Sequence, residues 1–165
     1  MKVYAISDTH FNHKKLIEYG RPVDFEEQIL KNLEKLQGDL LIHCGDFCIG
    51  KNAESMERYM EAAKGFKKKI LVRGNHDPQS DAWYIEHGFD FVCDSFVNTF
   101  FGKKILFTHI PAKRSAFDYN IHGHLHGNAH RLEGELTSLY EPGYHIDLAP
   151  EIRQYAPVNL QDLLK

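Results

Sequence analysis

Residues 3–10 read Val3-Tyr4-Ala5-Ile6-Ser7-Asp8-Thr9-His10, a short apolar run that ends in polar side chains of the metal-ligand type. Apolar runs of this length, bounded by polar or turn-forming residues, predict buried strands. Four further runs of the same kind lie along the chain, at residues 40–42, 70–72, 105–107 and, more weakly, 119–121. We therefore predict a protein built around several short buried strands.

Helical patterns fill the two gaps between the first three runs. In the first pattern, apolar residues spaced three or four apart share one face after an Asp24 cap. The second pattern runs from an Asn52 cap to a stop at Gly65. This order of strand, helix, strand, helix and strand favours a parallel sheet with crossover helices.

After about residue 90 the pattern changes to mostly β-structure. Residues 96–100 and 104–108 flank Phe101-Gly102-Lys103, which predicts a hairpin turn. A short helix is predicted over Val158–Leu164. Because there is no internal repeat and no linker-like segment, we expect one α/β domain over residues 1–165, with two packed sheets.

The composition is that of an ordinary globular protein, with 42% hydrophobic and 26% charged residues in a chain of 165. A formal charge of -3 provides no general attraction for nucleic acid, so such a partner is not indicated but stays open. No segment resembles a signal peptide or a membrane span of roughly 20 apolar residues. Three cysteines, an odd number, suit a reducing compartment, and we expect a cytoplasmic protein. The sequence does not determine the oligomeric state.

Each apolar run is followed by residue types that bind metals in proteins. In chain order these residues are Asp8 and His10, Asp46, Asn75 and His76, His109, and His124 and His126. Because ligands collect where loops leave the carboxyl ends of strands in α/β proteins, we expect the five segments to meet. The spacing in Asp8-x-His10 and His124-x-His126 would, on extended backbone, place both side chains of a pair on the same side.

The residue types also indicate the kind of ion. Carboxylate, imidazole and amide ligands suit Mn, Fe, Zn or Ni, whereas a cage of thiolates would favour structural zinc. The number of ligands exceeds what one ion needs. Two divalent ions that share one carboxylate would use them all, and such pairs serve phosphoryl chemistry.

The whole series resembles the calcineurin-like metallophosphoesterases, in that family's order and over essentially the whole chain. The motifs that carry the resemblance are Asp8-x-His10, Gly45-Asp46, Gly74-Asn75-His76-Asp77, His109 and Gly123-His124-x-His126. The resemblance implies a two-sheet β-sandwich flanked by helices, in four αββα layers.

The resemblance also implies a dinuclear site and the hydrolysis of phosphoesters, and we expect phosphodiesters or small phosphomonoesters as substrates. The connection at residues 111–119 is too short for a cap domain, so an open site could admit a phosphodiester, a nucleotide or a phosphorylated peptide. The resemblance assigns one ion to Asp8, His10, Asp46 and His126, and the other to Asp46, Asn75, His109 and His124, with Asp46 as the bridge. A hydroxide that bridges the ions would attack phosphorus directly. His76 would act as the general acid that protonates the leaving oxygen.

Four further residues have two interpretations each. Asp77 either orients His76 or caps the helix that follows. Asn12 and His13 either touch the substrate phosphate or belong to the first turn of a helix. Arg73 either binds a phosphate oxygen or pairs with a nearby carboxylate.

Two rival functions would use the same fold. One is a non-catalytic scaffold or binding module, although relatives of that kind tend to lose site residues, and His76 and all seven ligands are present here. The other is a metal-dependent nuclease, which activity on oligonucleotides but not on small aryl esters would favour.

Overall fold

The computed structural model describes residues 1–50, 53–128 and 140–165, and it contains two mixed β-sheets flanked by helices. The predicted α/β sandwich is therefore confirmed. The predicted Asn52 cap lies outside the described residues. Within the described ranges, none of the helices has the length and apolar character needed to cross a membrane.

The elements are short and follow one another closely. In chain order they are β1 (Val3–Ile6), α1 (Lys15–Glu18), α2 (Phe25–Glu34), β2 (Gly38–His43), α3 (Ala53–Ala62), β3 (Phe66–Val72), α4 (Asp81–Glu86), β4 (Phe91–Cys93), β5 (Ser95–Phe100), β6 (Lys103–Thr108), β7 (Tyr119–His122), β8 (His145–Asp147), a 3-10 helix (Pro150–Ile152), β9 (Val158–Asn159) and α5 (Leu160–Leu163).

The first sheet has five strands in the order β4-β3-β2-β1-β9, and the second has four in the order β5-β6-β7-β8. As predicted, β1, β2 and β3 are parallel, with Ile6 beside His43 and Ile42 beside Ile70. In the second sheet β6, β7 and β8 are parallel, while β5 and β6 form an antiparallel pair. Each sheet thus has a set of aligned carboxyl ends, from which loops with the predicted ligands leave.

The predicted hairpin joins β5 and β6. Lys103, which the sequence placed in the turn, instead pairs with Phe100 as the first residue of β6, so the turn consists of Phe101 and Gly102 alone. The φ angles of these two residues are 53° and 77°. A two-residue hairpin turn of the mirror-image type requires positive φ at both positions, which glycine adopts without strain.

Two hydrophobic cores hold the layers together. Successive side chains of β2 point to opposite faces of the sheet, so they are divided between the two cores. Leu41 faces the core beneath the helices, where it packs with Ile29 and Leu33 of α2. Ile42 faces the core between the sheets, together with Phe107 of β6. All five side chains are at most 1% exposed, and burying each contributes about 1.5–3 kcal/mol. The first sheet is therefore packed on both faces.

Two predictions about element ends were wrong. Asp24 does not cap α2 through its side chain, because its Oδ1 accepts a hydrogen bond from Nε2 of Gln28 at 2.9 Å instead. The predicted helix over Val158–Leu164 begins two residues later, since Val158 and Asn159 pair with β1 as an edge strand. The side chain of Asn159 then caps α5.

Candidate metal centre

The loops bring the predicted ligands into two adjacent groups. Ligand atoms within each group lie within 4.8 Å of one another, and the groups are Asp8, His10 and His126, and Asp46, His109 and His124. Oδ1 of Asn75 lies 3.1 Å from Nε2 of His109 and 3.1 Å from Nδ1 of His124, so Asn75 joins the second group. The structure thus brings all seven residues together from five loops.

Asp46 lies between the two groups. Its Oδ2 is 3.4 Å from Nε2 of His10, and its Oδ1 is 3.4 Å from Nε2 of His109. The backbone N–H of His76 donates to the same Oδ1 at 2.8 Å, which holds the carboxylate in this orientation. One oxygen therefore faces each group, as a shared carboxylate requires.

The donor set fits divalent cations. Among the described residues, the buried Nε2 of His10 has no hydrogen-bond partner, which is costly for a polar atom unless a further group satisfies it. Nδ1 of His109 lies 2.9 Å from the carbonyl of Cys44, so its N–H donates there and Nε2 faces the centre. Imidazole and carboxylate donors together suit borderline divalent ions.

Burial and charge determine the protonation of the two imidazoles that flank Asp46. Burial lowers the pKa of His10 to about 2, so this ring is the neutral form that binds metals. Burial also disfavours charge on His109, but the hydrogen bond and charge of Asp46 outweigh it and raise its pKa to about 9. A cation that enters the second group would therefore displace a proton from His109.

The ligand loops do not use extended backbone, so the predicted reason for the convergence of each pair was wrong. Asp8 and His10 have φ angles of 49° and 47°, and His124 and His126 have φ angles of 70° and 53°. Asp46 also has a positive φ, of 56°. Such angles are uncommon outside glycine and cluster at functional sites. The side chains of each pair converge because the backbone turns through left-handed residues.

Two motif glycines make room for ligand carboxylates. A Cβ atom on Gly74 would lie 2.2 Å from Oδ1 of Asp46, and one on Gly123 would lie 2.4 Å from Oδ2 of Asp8. Both distances are far shorter than a van der Waals contact. Any side chain at these positions would displace the candidate ligand carboxylate of the neighbouring loop.

Buried His43 and Thr9 join two ligand loops beneath the centre. The Thr9 hydroxyl donates to the carbonyl of Phe47 at 2.8 Å, so Nε2–H of His43 donates to Thr9 Oγ1 at 2.9 Å. Nδ1 of His43 then accepts the N–H of Gly45 at 3.2 Å. No motif includes His43, and only loop packing reveals it as a positioning residue.

Asp77 holds the loop that carries Asp46. Its carboxylate oxygens accept the backbone N–H groups of Asp46 and Phe47 at 2.8 Å each. The N–H of Gly74 donates to the same carboxylate at 2.7 Å. These bonds fix two of the motif loops relative to each other.

The predicted roles of Asp77 need correction. The helix-cap interpretation was wrong, since Ser80 caps α4 by accepting the N–H of Trp83. In the described part of the chain, the hydrogen bonds of the Asp77 carboxylate come from backbone groups and not from the His76 imidazole. We therefore assign Asp77 a positioning role for the Asp46 loop instead of a catalytic one.

A cleft of about 170 Å³ lies over the centre, and His13 and His76 line it together with several ligands. The exposed ring of His76 is centred 5.5 Å from that of His10 and 6.4 Å from that of His13. An imidazole at this position could exchange a proton with a group bound over the ligands.

Asn12 and Arg73 are turned toward protein partners. Nδ2 of Asn12 donates to Oγ of Ser55 at 2.6 Å. The guanidinium of Arg73 lies 2.9 Å from Asp94 and 3.3 Å from Asp81, so the carboxylate interpretation matches the structure. Both side chains thus make contacts within the protein, and their role as phosphate ligands stays a prediction.

Motif reasoning missed Arg21 and Glu151. Oε1 of Glu151 accepts hydrogen bonds from Nδ1 of His126 at 2.9 Å and from Nε of Arg21 at 2.8 Å. Arg21 is only 4% exposed, and it also donates to the carbonyl of Asp8 at 2.8 Å. These hydrogen bonds hold His126 and the backbone of Asp8 in place within the first ligand group. Arg21 and Glu151 are 130 positions apart in the chain, so no local signal could have paired them.

Comparisons with known proteins agree with this geometry. The calcineurin-like phosphoesterase superfamily domain matches residues 1–160, so the chain belongs to this superfamily and the resemblance in its motifs is confirmed. An uncharacterised protein of Methanocaldococcus jannaschii is 30% identical over an alignment of 176 residues, and the alignment covers 99% of this chain and 90% of that protein.

Two solved structures show the same fold. A protein of unknown function from Aquifex aeolicus is 31% identical, with a TM-score of 0.78, and the match covers 98% of this chain and 97% of that one. YfcE, a phosphoesterase from E. coli, is 19% identical, with a TM-score of 0.54 and coverage of 91% and 79%. At that identity the second comparison supports the fold alone.

Proposed function

We propose that the protein is a metal-dependent phosphoesterase with two divalent ions, hydrolysing phosphodiesters or small phosphomonoesters. Asp8, His10 and His126 would hold one ion, and Asn75, His109 and His124 the other, with Asp46 shared between them. The observation that carries the proposal is the position of Asp46, whose two oxygens lie 3.4 Å from imidazole nitrogens of different groups.

Two bound ions would acidify a water molecule and neutralise charge on the phosphate oxygens. The residues of the chain supply the other requirements. His76 lines the cleft without being held among the ligands, and its imidazole would give a proton to the oxygen that leaves phosphorus. His13, on the same cleft wall, would contact the substrate phosphate.

The test removes the negative charge of the shared Asp46 carboxylate and keeps the shape of the side chain. Asp46→Asn should bind fewer divalent ions and hydrolyse bis-p-nitrophenyl phosphate at least about 100-fold more slowly in Mn-supplemented buffer. His124→Ala should behave similarly. Asp162→Asn, at an exposed position in α5, is the matched control and should behave as wild type. Wild-type rates in folded Asp46→Asn and His124→Ala variants would overturn the proposal.

The two rival functions give different outcomes in the same experiments. A scaffold would bind a protein partner in a fixed ratio and turn over no phosphoester with any added metal. A nuclease would degrade oligonucleotides and leave small aryl esters intact. Metal content of the purified protein and a phosphoester panel therefore separate the three functions.

We also infer that the protein works in a reducing compartment such as the cytoplasm. Cys44, Cys48 and Cys93 are all free thiols. Burial raises the pKa of the Cys48 thiol to about 12, which suits a small apolar side chain better than a reactive one.

A further inference from the structure

Tyr19 is an exposed aromatic residue on the wall of the metal cleft. It directly follows the short helix α1, and it is 65% exposed. Together with the buried Leu16, it lines both the cleft of about 170 Å³ over the metal centre and a neighbouring cleft of about 150 Å³. Tyr19 therefore stands where the two clefts meet.

The described part of the chain makes little use of the Tyr19 ring. Among these residues, Tyr19 belongs to neither hydrophobic core. Nζ of the exposed Lys15 lies 5.7 Å from the centre of the Tyr19 ring. An exposed aromatic face next to a reaction centre offers a surface on which a planar group can stack.

The neighbouring cleft presents a hydrogen-bond acceptor. Arg21, His126 and Glu151 line it. The guanidinium of Arg21 is engaged by Glu151 and by the carbonyls of Asp8 and Thr9, so it has little capacity for an anion. Within the described residues, both contacts of the Glu151 carboxylate use Oε1, which leaves Oε2 to accept N–H or O–H groups of a ligand.

We propose that this neighbouring cleft, with Tyr19, is the subsite for the organic part of the substrate, and that the substrate class is nucleoside phosphoesters. The base would stack on the Tyr19 ring, and its amino groups or the sugar hydroxyls would donate to Glu151. The phosphate would then lie over the metal ligands, because His126 borders both clefts. This inference rests on the proposed function for the position of the phosphate.

Binding of two probes to the Mn-loaded protein tests the subsite separately from catalysis. Calorimetry would measure the Kd of adenosine monophosphate and of inorganic phosphate. Tyr19→Ala should weaken binding of adenosine monophosphate about ten-fold and leave that of inorganic phosphate unchanged, since only the nucleotide has a base to stack. Tyr19→Phe keeps the ring and should bind the nucleotide nearly as wild type. Val23→Ala, at a position that is 82% exposed, is the control for truncating a nearby apolar side chain.

The remaining outcomes separate this inference from the proposed function. Nucleotide binding that depends on Tyr19, without turnover of any phosphoester, would support the subsite and overturn the proposed reaction. Absence of nucleotide binding to the wild type would overturn the subsite. So would an equal effect of Tyr19→Ala on both probes, since Tyr19 would then act through the metal cleft. Turnover of alkyl diesters with a lower KM than nucleoside phosphoesters would also overturn it.

Discussion

Nδ1 of His126 donates a hydrogen bond to Oε1 of Glu151 at 2.9 Å, and this bond directs the other ring nitrogen toward the metal centre. Nε2 of His126 consequently lies 3.6 Å from Oδ1 of Asp8. Burial disfavours charge on Glu151, but the contacts with His126 and Arg21 outweigh it and lower its pKa to about 2. A charged carboxylate behind a ligating imidazole fixes the ring and increases its basicity.

Glu151→Gln should therefore weaken the binding of one divalent ion about 10–100-fold and leave the second site nearly unchanged. The substitution keeps the shape of the side chain and removes its charge. Calorimetric titration with Mn²⁺ measures both sites. Glu57→Gln, on the exposed surface of α3, is the control and should bind as wild type. Equal affinities in wild type and Glu151→Gln would show that the hydrogen bond does not support the metal.

Thr9→Val should lower the free energy of unfolding by about 1–3 kcal/mol. Valine has nearly the same shape, but its methyl group leaves Nε2–H of His43 and the carbonyl of Phe47 without a buried partner. Urea unfolding measures the effect. Thr99→Val, at an exposed position in β5, should change stability by less than about 0.5 kcal/mol. A similar loss in both variants would contradict the proposed link between the loops.

His43 should stay neutral in the folded protein as the pH falls below 6.5, its usual pKa. Burial, with a contribution from the charge of His109, lowers the pKa of His43 to about 3. The unfolded chain takes up this proton near pH 6.5, so the stability contributed by neutral His43 is present above that pH and is lost as the pH falls toward 3. Nitrogen NMR should show the Nε2–H tautomer throughout the neutral range. A titration midpoint near 6.5 in the folded protein would refute the assignment.

His76→Ala should retain both ions but turn over slowly, with the greatest loss, about 100-fold or more, on substrates with poor leaving groups. A poor leaving group depends most on protonation. The loss of turnover should therefore be smaller for substrates that release p-nitrophenolate, a good leaving group. His87→Ala is the control. It removes an imidazole that stacks on Trp83, and it should leave turnover unchanged. Loss of metal from His76→Ala would show that His76 is a metal ligand and not the general acid.

The convergence of the candidate ligands could be predicted, because their loops leave strands whose apolar runs are visible in the sequence. Asp46 and Asn75 are examples, since the parallel pairing of β2 and β3 places their loops side by side. The two interpretations of Arg73 could not be separated in the same way. Its partners Asp81 and Asp94 come from α4 and the loop after β4, and their positions depend on packing and not on a pattern.

The sequence by itself determined the strands, the crossover helices and the types of ligand, because strand and helix periodicity and residue chemistry are local properties. The tertiary structure alone decided how the ligands converge, through left-handed backbone at residues such as Asp8 and His126. It also decided which groups support them, as with Arg21 and Glu151. A loop conformation and a hydrogen bond between distant segments depend on how the layers pack, and no local pattern encodes that packing.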